Sequence, residues 1–122
     1  AIAAGLPQEK MPEVIFDDSS TPANYNDPIL TAALQKSANE AIGTANIIDA
    51  EPQMVGEDFS RYGSTEHKVP TVLYWLGTVP DERMKTGDLP GLHSPFYFPE
   101  IEKSLTTAIK VNTQTMMDLF NG

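Results

Sequence analysis

Apolar residues recur at helical spacing in two stretches of the chain. The apolar face of the first stretch consists of Leu30, Ala33, Leu34, Ala38 and Ala41. Asn26 or Asp27 can cap such a helix, and Pro28 suits its first position. Gly43 supplies the stop signal. The pattern predicts a helix that packs on another layer of structure.

The second helical pattern closes the sequence. It opens at Pro99 and stops at Asn121-Gly122. Its predicted buried face consists of Ile101, Leu105, Ala108, Asn112, Met116, Leu119 and Phe120. A third, shorter helical pattern lies at the start of the sequence. Here "AIAAG" is typical of the last turn of a helix, with Gly5 as its left-handed stop. We therefore expect the chain to begin inside an element.

Three apolar runs predict strands, at residues 14–16, 45–51 and 72–76. Pro12 marks the start of the first run, and Pro52 ends the second. The third run has no alternation of apolar and polar positions, which is typical of a strand buried on both faces. Such a strand needs helices on each side of its sheet.

The connecting segments complete the pattern. "QMVGEDFSRYG" predicts a short helix ended by Gly63, with Glu57 and Asp58 in a first turn where the helix dipole stabilises carboxylates. Residues 19–27 predict a turn-rich connector, and residues 80–100 predict a long loop of the kind that is often functional. Because helices and strands alternate, the sequence predicts a layered α/β fold.

Composition and charge narrow the function classes. The 122 residues, 40% hydrophobic and 20% charged, are typical of one globular domain. The formal net charge of −9 disfavours nucleic acid and anionic membrane surfaces as partners. There is no cysteine, which excludes disulfides within these residues and fits both cytosol and periplasm. The first ten residues lack the pattern of a signal peptide.

Two histidines are candidates for metal or proton chemistry. His67 lies among polar residues in "STEHKVP" and is interpreted as a surface residue. His93 follows the third predicted strand, beyond which open α/β sheets bind their ligands, so it is either a metal ligand or a structural histidine. Its loop offers apolar anchors in Leu92, Phe96 and Phe98. A zinc site needs three or four protein ligands, so the sequence contains only part of a site.

The stretch "GEDFS" has three interpretations. Glu57 and Asp58 form a structural start of the short helix, line a substrate cleft, or bind a metal directly. The residues alone leave the three open.

Four motifs together resemble a known family. "YNDP", "PQMVGEDFSRYG", "VPTVLYWLGTV" and "LPGLHSPFYFPE", followed by a closing helix, resemble the carboxy-terminal part of M20-family metallohydrolases, in particular amidohydrolases of the aminoacylase and hippurate-hydrolase type. The resemblance runs from about residue 11 to residue 120. Either "GEDFS" or "LHSPF" alone is a weak signal, whereas both in this order with a buried strand between them are specific.

The resemblance implies a larger, two-domain enzyme. A layered α/β/α, zinc-peptidase-like catalytic domain would hold two metal ions, usually zinc, and a smaller α+β lid domain would mediate homo-oligomer formation. Residues 1–20 would be the tail of the lid with its last strand. Residues 21–122 would be the carboxy-terminal part of the catalytic domain.

The resemblance also implies roles for particular residues. His93 matches the last metal ligand of the family, and Gly56, Glu57 and Asp58 match a segment that borders the substrate cleft, although Val55 replaces a glycine of that segment. The implied reaction is hydrolysis of the amide bond of N-acyl amino acids or small peptides by metal-activated water. The other ligands and the general base would lie upstream, so this chain would contain no catalytic residue.

A second hypothesis concerns the 122 residues by themselves. They would form a non-catalytic folded fragment or interaction module that associates with itself through unpaired strand edges.

Overall fold

A computed structural model describes residues 1–17, 20–87 and 89–122. Parts of the predicted connector 19–27 and of the predicted loop 80–100 therefore lie outside the described residues. Single 3-10 turns occur at Ile2–Ala4, Gln8–Lys10 and Thr44–Asn46. The α-helices are α1 (Pro28–Ile42), α2 (Ser60–Gly63), α3 (Asp81–Met84) and α4 (Ile101–Asn121). The described ranges contain no β-strand.

Helix α1 has the ends that its sequence predicts. The carboxylate of Asp27 accepts a hydrogen bond from the backbone N–H of Leu30 at 2.8 Å, and Pro28 occupies the first position of the helix. At the other end Gly43 takes a φ of 82°, and its N–H donates to the carbonyl of Asn39 at 2.9 Å. Local capping chemistry thus determines both boundaries. The left-handed stop predicted at Gly5 is also confirmed, with a φ of 67°.

Helix α4 is confirmed in extent, but the prediction of its buried face is wrong. The residues Ile101, Leu105, Met116, Leu119 and Phe120 are between 52% and 83% exposed. The buried residues are instead Ser104, Val111 and Thr115. At about 100° per residue, the apolar stripe is turned by roughly 100° from the buried side. The reason is the partner, because α4 packs on α1 through small side chains that allow a close approach.

The α1–α4 contact forms the core of the described chain. Its buried apolar residues are Ala38 and Val111, each 3% exposed. Around them lies a polar contact in which the hydroxyl of Ser37 donates to the carboxylate of Asp118 at 2.6 Å. The amide of Gln114 donates to the other oxygen of Asp118 at 2.9 Å. The core is therefore small, and most of its buried residues are polar.

The segment that contains the third predicted strand is held by bonds from outside it. The N–H of Asp27 donates to the carbonyl of Thr71 at 2.8 Å. The side chain of Asn26 bonds both backbone groups of Leu73, accepting from the N–H at 2.9 Å and donating to the carbonyl at 2.8 Å. Gly63, at the end of α2, lies so close to Thr71 that a Cβ there would be 3.0 Å from its hydroxyl. This segment, α1 and α2 therefore meet at Thr71.

None of the three predicted strands forms β-sheet hydrogen bonds with another strand among the described residues. Ala45 and Asn46, predicted to begin the second strand, belong instead to a 3-10 turn that the N–H of Ile47 closes by donating to the carbonyl of Thr44 at 3.1 Å. A strand requires a neighbouring strand for its backbone hydrogen bonds. The layered α/β fold consequently stays a prediction.

The chain exposes an unusually large surface for its mass. Its accessible area is 10373 Å², whereas a self-contained monomer of 13.3 kDa exposes about 6,500 Å². Large apolar side chains contribute to this area, among them Val14, Ile15 and Phe16 at 75–87% exposure. The described residues include no helix that is both long enough and apolar enough to cross a membrane.

Candidate functional site

The stretch "GEDFS" folds back on itself just before α2. The carboxylate of Glu57 accepts the backbone N–H of Phe59 at 3.1 Å. The hydroxyl of Ser60, which is buried, donates to the Glu57 carbonyl at 2.7 Å. Asp58 is exposed. Glu57 therefore shapes the start of the short helix, while the Asp58 carboxylate faces solvent.

Gly56 lies in open space. A Cβ at this position would meet no atom within 4 Å. Packing among the described residues thus gives no reason for a glycine here, and the assignment of Gly56, Glu57 and Asp58 to a substrate cleft stays a prediction.

His93 occupies the bend of two consecutive turns. The N–H of Ser94 donates to the carbonyl of Gly91 at 3.1 Å, and the N–H of Tyr97 donates to the carbonyl of Ser94 at 3.0 Å. His93 is the third residue of the first turn and has a φ of 68°. Residues other than glycine adopt this left-handed region rarely, and such positions cluster at functional sites. The exposed imidazole is therefore presented by a constrained backbone.

Polar contacts hold these turns in place. The hydroxyl of Tyr97 is hydrogen-bonded to that of Thr78, and the Thr78 carbonyl accepts the N–H of Glu100 at 2.8 Å. The guanidinium of Arg83, on α3, donates to the carbonyl of Phe98. The turns are thereby attached to the end of the apolar segment 72–76 and to α3.

The predicted apolar anchors of this loop are wrong. Leu92, Phe96 and Phe98 are 56–77% exposed. A side chain that exposed contributes little burial energy, because the hydrophobic effect scales with the apolar area removed from water. The polar contacts of Tyr97 and Arg83 provide the attachment instead.

An open groove of about 530 Å³ lies beside these contacts. Residues 77–82 form one wall, and the first turns of α4 form the other. On the α4 side, the ammonium of Lys103 lies 3.0 Å from the carboxylate of Glu100. The hydrogen bond to Glu100, and then the charge of that carboxylate, raise the pKa of Lys103 above its ordinary value of 10.5. The lysine therefore stays charged at neutral pH.

The described residues do not by themselves form a metal site. Nowhere in residues 1–17, 20–87 and 89–122 do three His, Cys, Asp or Glu side chains come together in a metal-binding arrangement. His93 provides a single imidazole donor, whereas zinc sites in proteins use three or four ligands.

His67 lies on the surface, as predicted. Its Nε2 is 3.5 Å from the carboxylate of the neighbouring Glu66, and both side chains are more than three-quarters exposed. Exposed pairs of this kind contribute little to stability.

Sequence reasoning missed the residues that position the loop and the apolar segment. Thr78 and Tyr97 are 19 residues apart, and Asn26 and Leu73 are 47 residues apart. Contacts over such separations leave no periodicity or local motif in the sequence. The single local signal was that Asn26 precedes a helix, and it pointed to a capping role that Asp27 performs.

Comparisons with known proteins give the chain a context. Residues 10–118 match the description of peptidase family M20/M25/M40. A Bacillus subtilis (strain 168) protein named "Putative amidohydrolase YhaA" is 34% identical over 90 residues, which cover 74% of this chain. The chain spans 21% of the length of that relative. No solved structure matches the chain.

Proposed function

Because the chain belongs to peptidase family M20/M25/M40, we propose that it is the carboxy-terminal part of a metal-dependent hydrolase that cleaves amide bonds. The proposed substrates are N-acyl amino acids or small peptides, as for enzymes of the aminoacylase and hippurate-hydrolase type. The observation that carries this proposal is the family match over residues 10–118, within which a constrained turn presents His93 to solvent.

The surface of the chain supports the proposal that it functions within a larger assembly. It exposes roughly 3,900 Å² more than a monomer of its mass. An interface that covered it would bury about twice that area when both partners are counted, which is at or above the upper end of obligate interfaces. We assign most of it to contacts with the rest of a longer polypeptide and a smaller part to contacts between subunits of a homo-oligomer.

The layered α/β/α fold is proposed for residues 21–122, with residues 1–20 as the tail of a lid domain. Its support is the position of the apolar segment beside α4, where the hydroxyl of Tyr74 donates to the side chain of Asn112 at 3.0 Å. Helix α4 is thus joined by a side-chain hydrogen bond to the segment whose sequence predicts a strand. Strands from the longer polypeptide would complete the sheet.

In the proposed enzyme, His93 is one ligand of a metal pair, and the preceding part of the longer protein supplies the remaining ligands and the general base. The imidazole of His93 is a donor that suits zinc, and a bound metal pair would supply activation of water for amide hydrolysis. Within this chain, the task of the loop is to hold the imidazole of His93 outward. Asp58 faces solvent and is the carboxylate of "GEDFS" available to a substrate cleft.

The test is His93→Ala in the longer protein, with His67→Ala as the matched control. We expect His93→Ala to lose metal and turnover, because a ligand bound directly to metal matters at least as much as the outer groups whose loss costs about 10–100-fold. The melting temperature should stay close to that of the wild type, since the exposed imidazole packs on little. Metal content, hydrolysis of N-acyl amino acids and a melting curve provide the three measurements. Full metal content and full turnover in His93→Ala would contradict the assignment.

A second candidate function applies to the 122 residues alone. The exposed run Val14, Ile15 and Phe16 favours an inactive module that associates with itself, since contiguous exposed apolar residues mark interaction sites. The isolated chain should then show no hydrolysis even with added zinc, and light scattering should show species larger than a monomer. Turnover by the isolated chain would contradict its assignment as an incomplete part.

A further inference from the structure

We infer that Asn26 takes the place of a neighbouring strand at the first residues, 71–73, of one edge of segment 71–77, and that the opposite edge is the docking site for a β-strand. Asn26 bonds the N–H and the carbonyl of Leu73, as a paired strand residue does. Asn24 donates to the same Asn26 oxygen at 3.1 Å and so supports the orientation of the amide. Asp27 continues the edge by donating to Thr71.

The two edges follow from the geometry of an extended chain. Backbone groups of residues i and i+2 point to the same edge, and those of the residue between them point to the other. The bonds at Thr71 and Leu73 fit this alternation, so the odd-numbered residues form the edge that Asn26 and Asp27 occupy. Val72, Tyr74 and Leu76 form the opposite edge.

The opposite edge is open for pairing. The backbone N–H and C=O groups of Val72, Tyr74 and Leu76 bond to none of the residues that the structure describes. Their side chains are half-buried. Backbone polar groups that become buried require hydrogen-bond partners, and a β-strand supplies them in register.

The occupant that the observations favour is an extended, apolar strand from the rest of the same polypeptide. This inference rests on the proposed function, in which the chain is part of a longer protein. The chain spans 21% of the length of the relative that it matches, and in the proposed longer protein the remaining length would supply such a strand. The apolar character of Val72, Leu73 and Leu76 fits a strand between two layers.

Amide hydrogen exchange tests both halves of the inference without measuring hydrolysis. In the isolated chain, the Leu73 amide should exchange about ten-fold more slowly than the Tyr74 amide, because one has a hydrogen-bond partner and the other has none. Asn26→Ala should remove this difference. Asn26→Asp, which keeps an acceptor for the Leu73 N–H, should retain part of it, and Asn121→Ala provides an exposed asparagine as the control. In the longer protein, the amides of Val72, Tyr74 and Leu76 should become protected.

The outcomes distinguish this inference from the proposed function. Equal exchange of Leu73 in wild type and Asn26→Ala would overturn the role of Asn26, whatever the enzyme hydrolyses. Even-numbered amides that exchange as fast in the longer protein as in the isolated chain would overturn the docking site. Protection that appears in the isolated chain as its concentration rises would identify a second copy as the occupant and contradict the assignment to the same polypeptide.

Discussion

The helix pair α1–α4 and the stretch between them, residues 43–100, are stabilised in different ways. The helices make their own backbone hydrogen bonds and meet through a small buried contact around Ala38 and Val111. The stretch between them is held by short turns of its own and is attached to the helices and their flanks by individual groups, such as Asn26 at Leu73 and Tyr74 at Asn112. The helix pair is thus the packed base of the described chain. The conformation of the stretch that carries "GEDFS" and His93 depends on its contacts with this base. Candidate chemistry is concentrated in the part whose local stability is lower, as is common for binding loops.

The largest effect should come from the buried side of the helix pair. Val111→Asp places a carboxylate at a position that is 3% exposed. We expect the free energy of unfolding to fall by at least about 3 kcal/mol, because an unpaired charge is costly to bury. Helical circular dichroism during urea unfolding of the isolated chain measures the change.

Ile109→Asp is the matched control for this prediction. Ile109 belongs to the same helix but is 63% exposed, so its replacement should change the stability by less than about 0.5 kcal/mol. Equal losses in the two variants would show that the apolar stripe of α4 is covered in the isolated chain. The comparison between a packed base and a dependent stretch would then be wrong.

Features of this structure were predictable from the sequence where residues close in the chain determine them, and not where distant residues do. The ends of α1 were predictable because Asp27 and Gly43 act within one turn of the helix. The buried face of α4 was not, because small residues such as Ser104 face α1 while the apolar stripe remains exposed. Periodicity shows that a helix has an apolar face, but its partner determines which face is buried.

Prediction from local sequence was limited in the same way at the candidate site. The exposure of His67 followed from its polar neighbours, whereas the left-handed backbone of His93 was not predicted, because few residues other than glycine adopt that conformation and no neighbouring residue marks the position. The strands at 45–51 and 72–76 were inferred from apolar runs, and their pairing depends on residues elsewhere in a sheet. A strand is therefore less predictable from its own sequence than a capped helix.

The polar part of the helix contact should have the next largest effect. Ser37→Ala removes the hydroxyl that donates to Asp118, and Ser37 is 2% exposed. We expect a loss of about 1–2 kcal/mol in unfolding free energy, since a hydrogen bond to a charged group is worth more than a neutral one. Urea unfolding measures the loss. Ser104→Ala is the control, because this residue is 8% exposed and its hydroxyl bonds to no described residue, and an equal loss there would mean that burial rather than the bond to Asp118 matters.

Within the dependent stretch, Tyr97→Phe should have a smaller effect of about 0.5–1 kcal/mol. It removes the hydroxyl bonded to Thr78 and keeps the ring. Amide exchange of residues 91–97 should accelerate, while α1 and α4 should exchange as before. Tyr62→Phe is the control, because that side chain is 64% exposed and packs its ring on Phe59. Acceleration throughout the chain would contradict the separation of the stretch from its base.

The smallest effect is a pH dependence where the two regions meet, at the start of α4. The hydrogen bond to Glu100 and its charge raise the pKa of Lys103 above 10.5, and the unfolded lysine keeps the ordinary value. Because the folded pKa is the higher one, the pair stabilises the chain fully below about pH 10.5 and loses this contribution as the pH rises through the folded pKa. The effect should be slight and should shrink in salt, since the Lys103 side chain is 80% exposed. Unfolding midpoints between pH 9 and pH 12 for the wild type and Lys103→Gln measure it. The two curves should converge at the alkaline end, and a gap that widens with pH would contradict the pairing of Lys103 with Glu100.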